Sequence, residues 1–167
     1  MKYFWSFLMF LICTVIQGNL INLIEIFNIT PNLILCLVVM FSFLYNGEYH
    51  GIIWGTFFGL VSDILYMPYT GVSALAYFVI ALAVIFASDV FNRENIANNI
   101  IVSVAATLAF NVITFVILKI MGSDIHIISM IKCLPMMFVY NALVTFILYH
   151  IFIRKVVRFR SDRHFRF

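Results

Sequence analysis

Six apolar runs, separated by breaks too short to hold a domain, constrain this chain more than any other feature. A backbone inside hydrocarbon must satisfy its own N–H and C=O groups, so runs of this kind fold as helices. About 20 helical residues cross the roughly 30 Å core of a bilayer. The 167 residues therefore fit six spans, short connections and a small tail, with no room for a soluble domain. Charged residues make up 10% of the chain and hydrophobic ones 65%, for a mean hydropathy of +1.10, far from the balance of a soluble protein.

The first span is expected from about Tyr3 to Gly18. Its Met-Lys start could pass for a secretory signal, but no small-x-small cleavage site follows, so it reads as retained. Asn19, Asn22, Glu25 and Asn28 then recur every third residue among Leu, Ile and Phe, which suits a helix in the headgroup layer or an extended loop. Thr30-Pro31 reads as an N-cap followed by proline in the first turn, opening a second span through about Tyr45. After the polar turn Asn46 to His50, the third span covers about Gly51 to Met67 and the fourth about Gly71 to Ser88. Asp89 to Asn99 interrupts; the fifth span runs from about Ile100 to Ile120 and the sixth from about Lys132 to Ile153. Residues 1–153 thus form one transmembrane domain and 154–167 a basic tail.

Lys and Arg placement sets the orientation. With both termini in the cytoplasm, eight of the ten basic residues (Lys2, Arg93, Arg154, Lys155, Arg158, Arg160, Arg163, Arg166) lie inside, and Lys119 and Lys132 lie outside. The positive-inside rule selects that arrangement. Arg154, Lys155, Arg158, Arg160, Arg163 and Arg166 are expected to meet an anionic lipid surface, at about 1 kcal/mol per residue. Nothing in the chain presents a nucleic-acid groove.

The stretch Gly51 to Tyr77 is the most specific part. Gly51, Gly55, Gly59 and Asp63 recur at intervals of four, so a helix carries them as one stripe of bare backbone ending in a carboxylate. Met67-Pro68-Tyr69-Thr70-Gly71 breaks the helix and returns the chain beside it. The stripe packs either against a neighbour in the same chain or against a second copy or another protein. Asp63 is the only carboxylate well inside an apolar span. A group so costly to bury faces protein rather than lipid, either as a hydrogen-bonding anchor or in proton or ion coupling. Ser103, Thr107 and Asn111 form a polar stripe in the fifth span, and Asn141 and Thr145 another in the sixth. Either these stripes meet inside the bundle, or Asp63, Asn111 and Asn141 line a cavity or partner groove.

Enzyme chemistry finds little support. Gly59 to Asp63 weakly resembles the G-x-G-D of aspartyl membrane proteases, but that mechanism needs two carboxylates sharing a proton. Ser62 lacks a nucleophile-elbow setting, and His50, His126, His150 and His164 sit at span ends or beyond. No H-x-x-x-H pair offers a metal site, and Cys13, Cys36 and Cys133 are dispersed small hydrophobes. No cofactor or metal is expected, and the aromatic residues are read as packing or lipid-facing groups.

Thr30-Pro31-Asn32, the G-x-x-x-D of Gly59 to Asp63 followed by Gly71-Val72-Ser73-Ala74-Leu75-Ala76-Tyr77, and Asn111 and Asn141 ahead of a basic end together resemble the MreD family of bacterial rod shape-determining membrane proteins. The resemblance implies an all-α membrane protein, a six-transmembrane-helix bundle like the S component of energy-coupling-factor transporters, in the bacterial cell (inner) membrane. It also implies a non-enzymatic part of the cell-elongation machinery. MreC would be its direct partner, and MreB, RodA and a class B penicillin-binding protein would join the larger assembly that organises peptidoglycan synthesis. In that reading Gly51, Gly55, Gly59, Asp63, Pro68 and Gly71 are the packing or partner residues, and a homodimer is compatible with them. The alternative is a substrate-binding subunit of a vitamin transporter. Such a subunit needs an outward pocket, which short outer turns and Phe- and Ile-rich spans offer little to roof.

Overall fold

The computed structural model describes residues 2–23, 30–44, 49–91, 95–124 and 127–164, with side chains within 4–152. These residues form six helices and no strand: α1 (Lys2–Leu23), α2 (Leu33–Leu44), α3 (His50–Tyr66), α4 (Val72–Val90), α5 (Ile96–Ile120) and α6 (Ile127–His164). Among the described residues three stretches, α4, α5 and Met130–Phe152 of α6, are long and apolar enough to cross a membrane.

α2 is the post around which the others stand. It is in contact with all five other helices, and Ile34 through Leu44 are all buried. A helix that is apolar on every side belongs in such a place. Around it α3 meets α1 and α4, α4 meets α5, and α5 meets α6, while among the described residues α1 and α6 do not meet. Twelve residues give α2 a length of only about 18 Å, so it reaches less far than a full span. In hydrocarbon, burying apolar side chains gains little over lipid contact, so close packing and polar ties must hold the helices together. Aromatic packing supplies part of this: Phe10 of α1 lies between Phe41 of α2 and Phe58 of α3, at ring-centroid distances of 5.7 and 5.9 Å.

Several expected boundaries move. The cap of α2 is Asn32, not Thr30: its Oδ1 accepts from the Leu35 N–H at 2.9 Å, and its C=O accepts the first helical bond, from the Cys36 N–H. Pro31 therefore precedes the cap instead of occupying the first turn. α1 runs on to Leu23, so Asn19 and Asn22 belong to its last turns, while Glu25 and Asn28 lie outside the described residues. α5 starts four residues earlier than expected because Asn95 caps it, accepting from the Ala97 N–H. It ends at Gly122, whose φ of +83° and the Ser123 N–H bond to Leu118 C=O make a left-handed stop. α6 tolerates Pro135 in its interior and continues beyond Ile153, so Arg154, Lys155, Arg158, Arg160 and Arg163 sit on helical backbone. Their side chains, and Arg166 altogether, lie outside the described residues.

Candidate functional site

The turn between α3 and α4 brings the deep carboxylate to its partners. α3 ends at Tyr66, and the chain reverses through Met67 to Gly71, which takes a left-handed φ of +94°. That conformation favours glycine, and it aims the opening N–H groups of α4 back at α3. No residue of the turn caps α4 with its side chain. Asp63 does so from one turn before the end of α3: its Oδ2 accepts from the Ser73 N–H at 2.8 Å and, more loosely, from the Ala74 N–H at 3.4 Å. The carboxylate is fully buried, and its other oxygen, Oδ1, has no hydrogen-bond partner among the described residues. A carboxylate at a helix N-terminus meets both orphan donors and the positive end of the dipole, together worth about 1–2 kcal/mol.

Asp63 therefore bonds backbone, where the sequence suggests polar side chains on other spans. Among the described residues no hydrogen bond joins it to Asn111 or Asn141.

The glycine stripe is closed within the chain. A Cβ on Gly51 would collide with the Ser42 hydroxyl of α2, and one on Gly55 would lie 2.5 Å from Val38 Cγ2, also on α2. On Gly59 it would meet Tyr77 Cδ2 at 2.6 Å and the Ala74 backbone at 2.9 Å, both on α4. Of the two partners left open by the sequence, the structure selects the neighbours in the same chain. Pro68 lies exposed in the turn, and Gly71 has nothing within 4 Å of where a Cβ would stand.

A second polar knot ties α2, α5 and α6. Asn141 of α6 accepts from the Asn32 N–H at 2.9 Å and donates to Thr107 Oγ1 of α5 at 3.0 Å. Thr107 donates in turn to the Ser103 C=O, and Ser103 and Thr145 share a hydroxyl contact of 2.7 Å between α5 and α6. Tyr77 of α4 joins by donating to Asn32 Oδ1 at 2.9 Å, and Gln17 of α1 accepts from the Ile34 N–H at 3.2 Å. The expected stripes of α5 and α6 thus do meet. Asn111 stands apart, donating to the Thr107 C=O of its own helix. Gln17 was not singled out by sequence reasoning, and Asn32 and Tyr77 entered it only within the family-like motifs, with no bond assigned to them. Asn32 alone carried a signal, an asparagine placed after proline at a helix start.

Near the α3–α4 turn lies a cavity of about 290 Å³, lined by turn residues, the start of α4 and the last turns of α5. Among the described residues no three His, Cys, Asp or Glu side chains gather as metal ligands, and the three cysteines are free.

The family model described as rod shape-determining protein MreD covers residues 1–159. No curated protein and no solved structure matches the chain.

Proposed function

This chain belongs to the MreD family and is a rod shape-determining membrane protein; from that premise we propose that it is a non-enzymatic, six-span scaffold that holds MreC and helps organise peptidoglycan synthesis along the cell. MreB, RodA and a class B penicillin-binding protein are the wider assembly. The observation that carries this reading is what the buried polar groups do: Asp63 fastens α3 to α4, and Asn141 fastens α6 to α2 and α5. Side chains arranged this way hold a shape. They do not converge on a point where a bond could be made or broken.

The six-span reading includes α2 and α3 despite their length. At the start of α2 the N–H groups of the cap Asn32, of Ile34 and of Leu35 are taken by Asn141, Gln17 and Asn32, so these donors find protein partners at whatever depth they lie. The bundle sits in the bacterial cell (inner) membrane with both termini in the cytoplasm, supported by eight basic residues inside against two outside. Because the glycine stripe is occupied within the chain, MreC meets other faces. Large parts of α6 are open, with Ile128, Leu143 and Ile147 more than half exposed.

The test is purification of the tagged chain from its own cells in mild detergent, with mass spectrometry of what accompanies it. MreC is expected in the eluate, and Asp63→Leu is expected to lower its yield and round the cells. A stoichiometric vitamin without MreC would overturn the scaffold in favour of a transport subunit.

A further inference from the structure

We propose that the cavity beside the α3–α4 turn is a binding site for one acyl chain of a membrane amphiphile, with its polar head at the turn. The cavity has a polar end and an apolar end. At the turn it is bounded by Tyr69 and Ser123, and away from the turn by Thr114 and Phe110, one and two helical turns below Leu118. Phe110 closes the far end: its ring is stacked on Tyr77 at a centroid distance of 5.0 Å and an interplanar angle of 17°. The α5 residues that line the cavity run from Phe110 to Leu118, about 12 Å at roughly 1.5 Å per residue, and Ser123 follows beyond the helix end. A cavity whose lining is drawn out along one helix suits a chain better than a compact ring system. Its volume of about 290 Å³ has room for on the order of ten methylene-sized groups, each taking about 30 Å³.

A second observation points to a ligand. Ser73 lines the cavity and is 7% exposed; its N–H is taken by Asp63, while its hydroxyl has no hydrogen-bond partner among the described residues. A hydroxyl on a largely buried residue that lines a cavity, with no bond inside the chain, is open to a ligand's oxygen. The carbonyl or glycerol oxygen of a lipid at the head end would fill that role. Thr114 cannot donate in the same way, because its hydroxyl proton already goes to the Phe110 and Asn111 carbonyls of its own helix. Apolar walls with a few placed polar groups are the usual make-up of a small-molecule site. The ligand would also rest on Ser73, whose N–H holds Asp63, and on Phe110, which backs Tyr77. Filling the cavity would thus stiffen both polar fastenings of the bundle. This assignment does not depend on the scaffold reading: MreC binding and chain binding are measured separately.

The test uses the full chain, delipidated in detergent, with decanoyl lysophosphatidylglycerol as probe. Native mass spectrometry is expected to show one retained probe per chain, and the probe is expected to raise the unfolding temperature. Thr114→Phe fills the cavity and should weaken binding roughly tenfold or more, with an unfolding temperature no lower than that of the parent. Ser73→Ala keeps the N–H bond to Asp63 but removes the hydroxyl, and should weaken binding severalfold. Val116→Phe places the same added ring on an exposed position of α5 and should leave binding unchanged. Equal retention by the parent and Thr114→Phe, or equal losses for Thr114→Phe and Val116→Phe, would overturn the site. So would a co-purifying protein released by Thr114→Phe while lipid retention stays the same, which would make the cavity a socket for a protein side chain.

Discussion

Replacing Asp63 is the sharpest perturbation of the fold. Asp63→Leu leaves the Ser73 and Ala74 N–H groups without an acceptor in a site closed to water. An orphaned buried donor costs about 1–3 kcal/mol. The 2.8 Å bond counts fully and the 3.4 Å bond counts for less, while losing the charge at the helix dipole adds up to about 1 kcal/mol. The cost of placing a carboxylate in the membrane is carried by the inserted chain whether or not its helices have packed, so its removal offsets little. Together these give a loss of roughly 2–4 kcal/mol for Asp63→Leu. Asp63→Asn keeps a neutral acceptor and should lose only about 1 kcal/mol. Unfolding by denaturing detergent, followed by circular dichroism, measures the stability. Hydrogen exchange of the peptide Gly71 to Tyr77 measures the local effect, which should be faster exchange at the start of α4. A leucine variant within about 0.5 kcal/mol of the parent, with unchanged exchange in that peptide, would refute the capping role.

Three further outcomes follow from the packing. Gly59→Ala sets a Cβ against the Ala74 backbone, which cannot yield, whereas Gly55→Ala meets the end of Val38; both should cost about 1–3 kcal/mol, with Gly59→Ala the worse, as thermal unfolding in detergent would record. Asn141→Leu strips partners from the Asn32 N–H and Thr107, and should cost about 2 kcal/mol. Asn111→Leu, losing only a bond within its own helix, should cost well under half of that, as the same unfolding assay would show. Neutralising Arg158, Arg160, Arg163 and Arg166 should release part of the C-terminal end from the cytoplasm in a topology reporter, at about 1 kcal/mol per charge.

The helices were legible from apolar runs and breaks, because a membrane leaves the backbone no other choice. Their ends were less so. Thr30 before Pro31 makes as good a cap on paper as Asn32, and only the bonds of Asn32 to Leu35 and Asn141 decide between them. The glycine stripe was visible as spacing, but which surface it meets depends on where α2 and α4 stand. Asp63 was found by its isolation, yet its partners were not, because a backbone N–H is written in no letter of the sequence. Gly71, the residue that turns those N–H groups toward Asp63, was the nearest available hint. Tyr77 closed a quoted motif but gave no sign of its bond, since a tyrosine in an apolar span reads as packing until its hydroxyl is seen beside Asn32.

Whether the small-residue seam is sealed inside one chain can be measured directly with Val38→Cys and Gly55→Cys in a background lacking Cys13, Cys36 and Cys133. A Cβ at Gly55 would stand 3.6 Å from Val38 Cβ, within the spacing a disulfide requires. Oxidation in membranes should then link the two positions within a single chain, leaving a monomer on a denaturing gel and a crosslinked peptide pair by mass spectrometry. A covalent dimer through these cysteines, or no crosslink at all, would contradict the account.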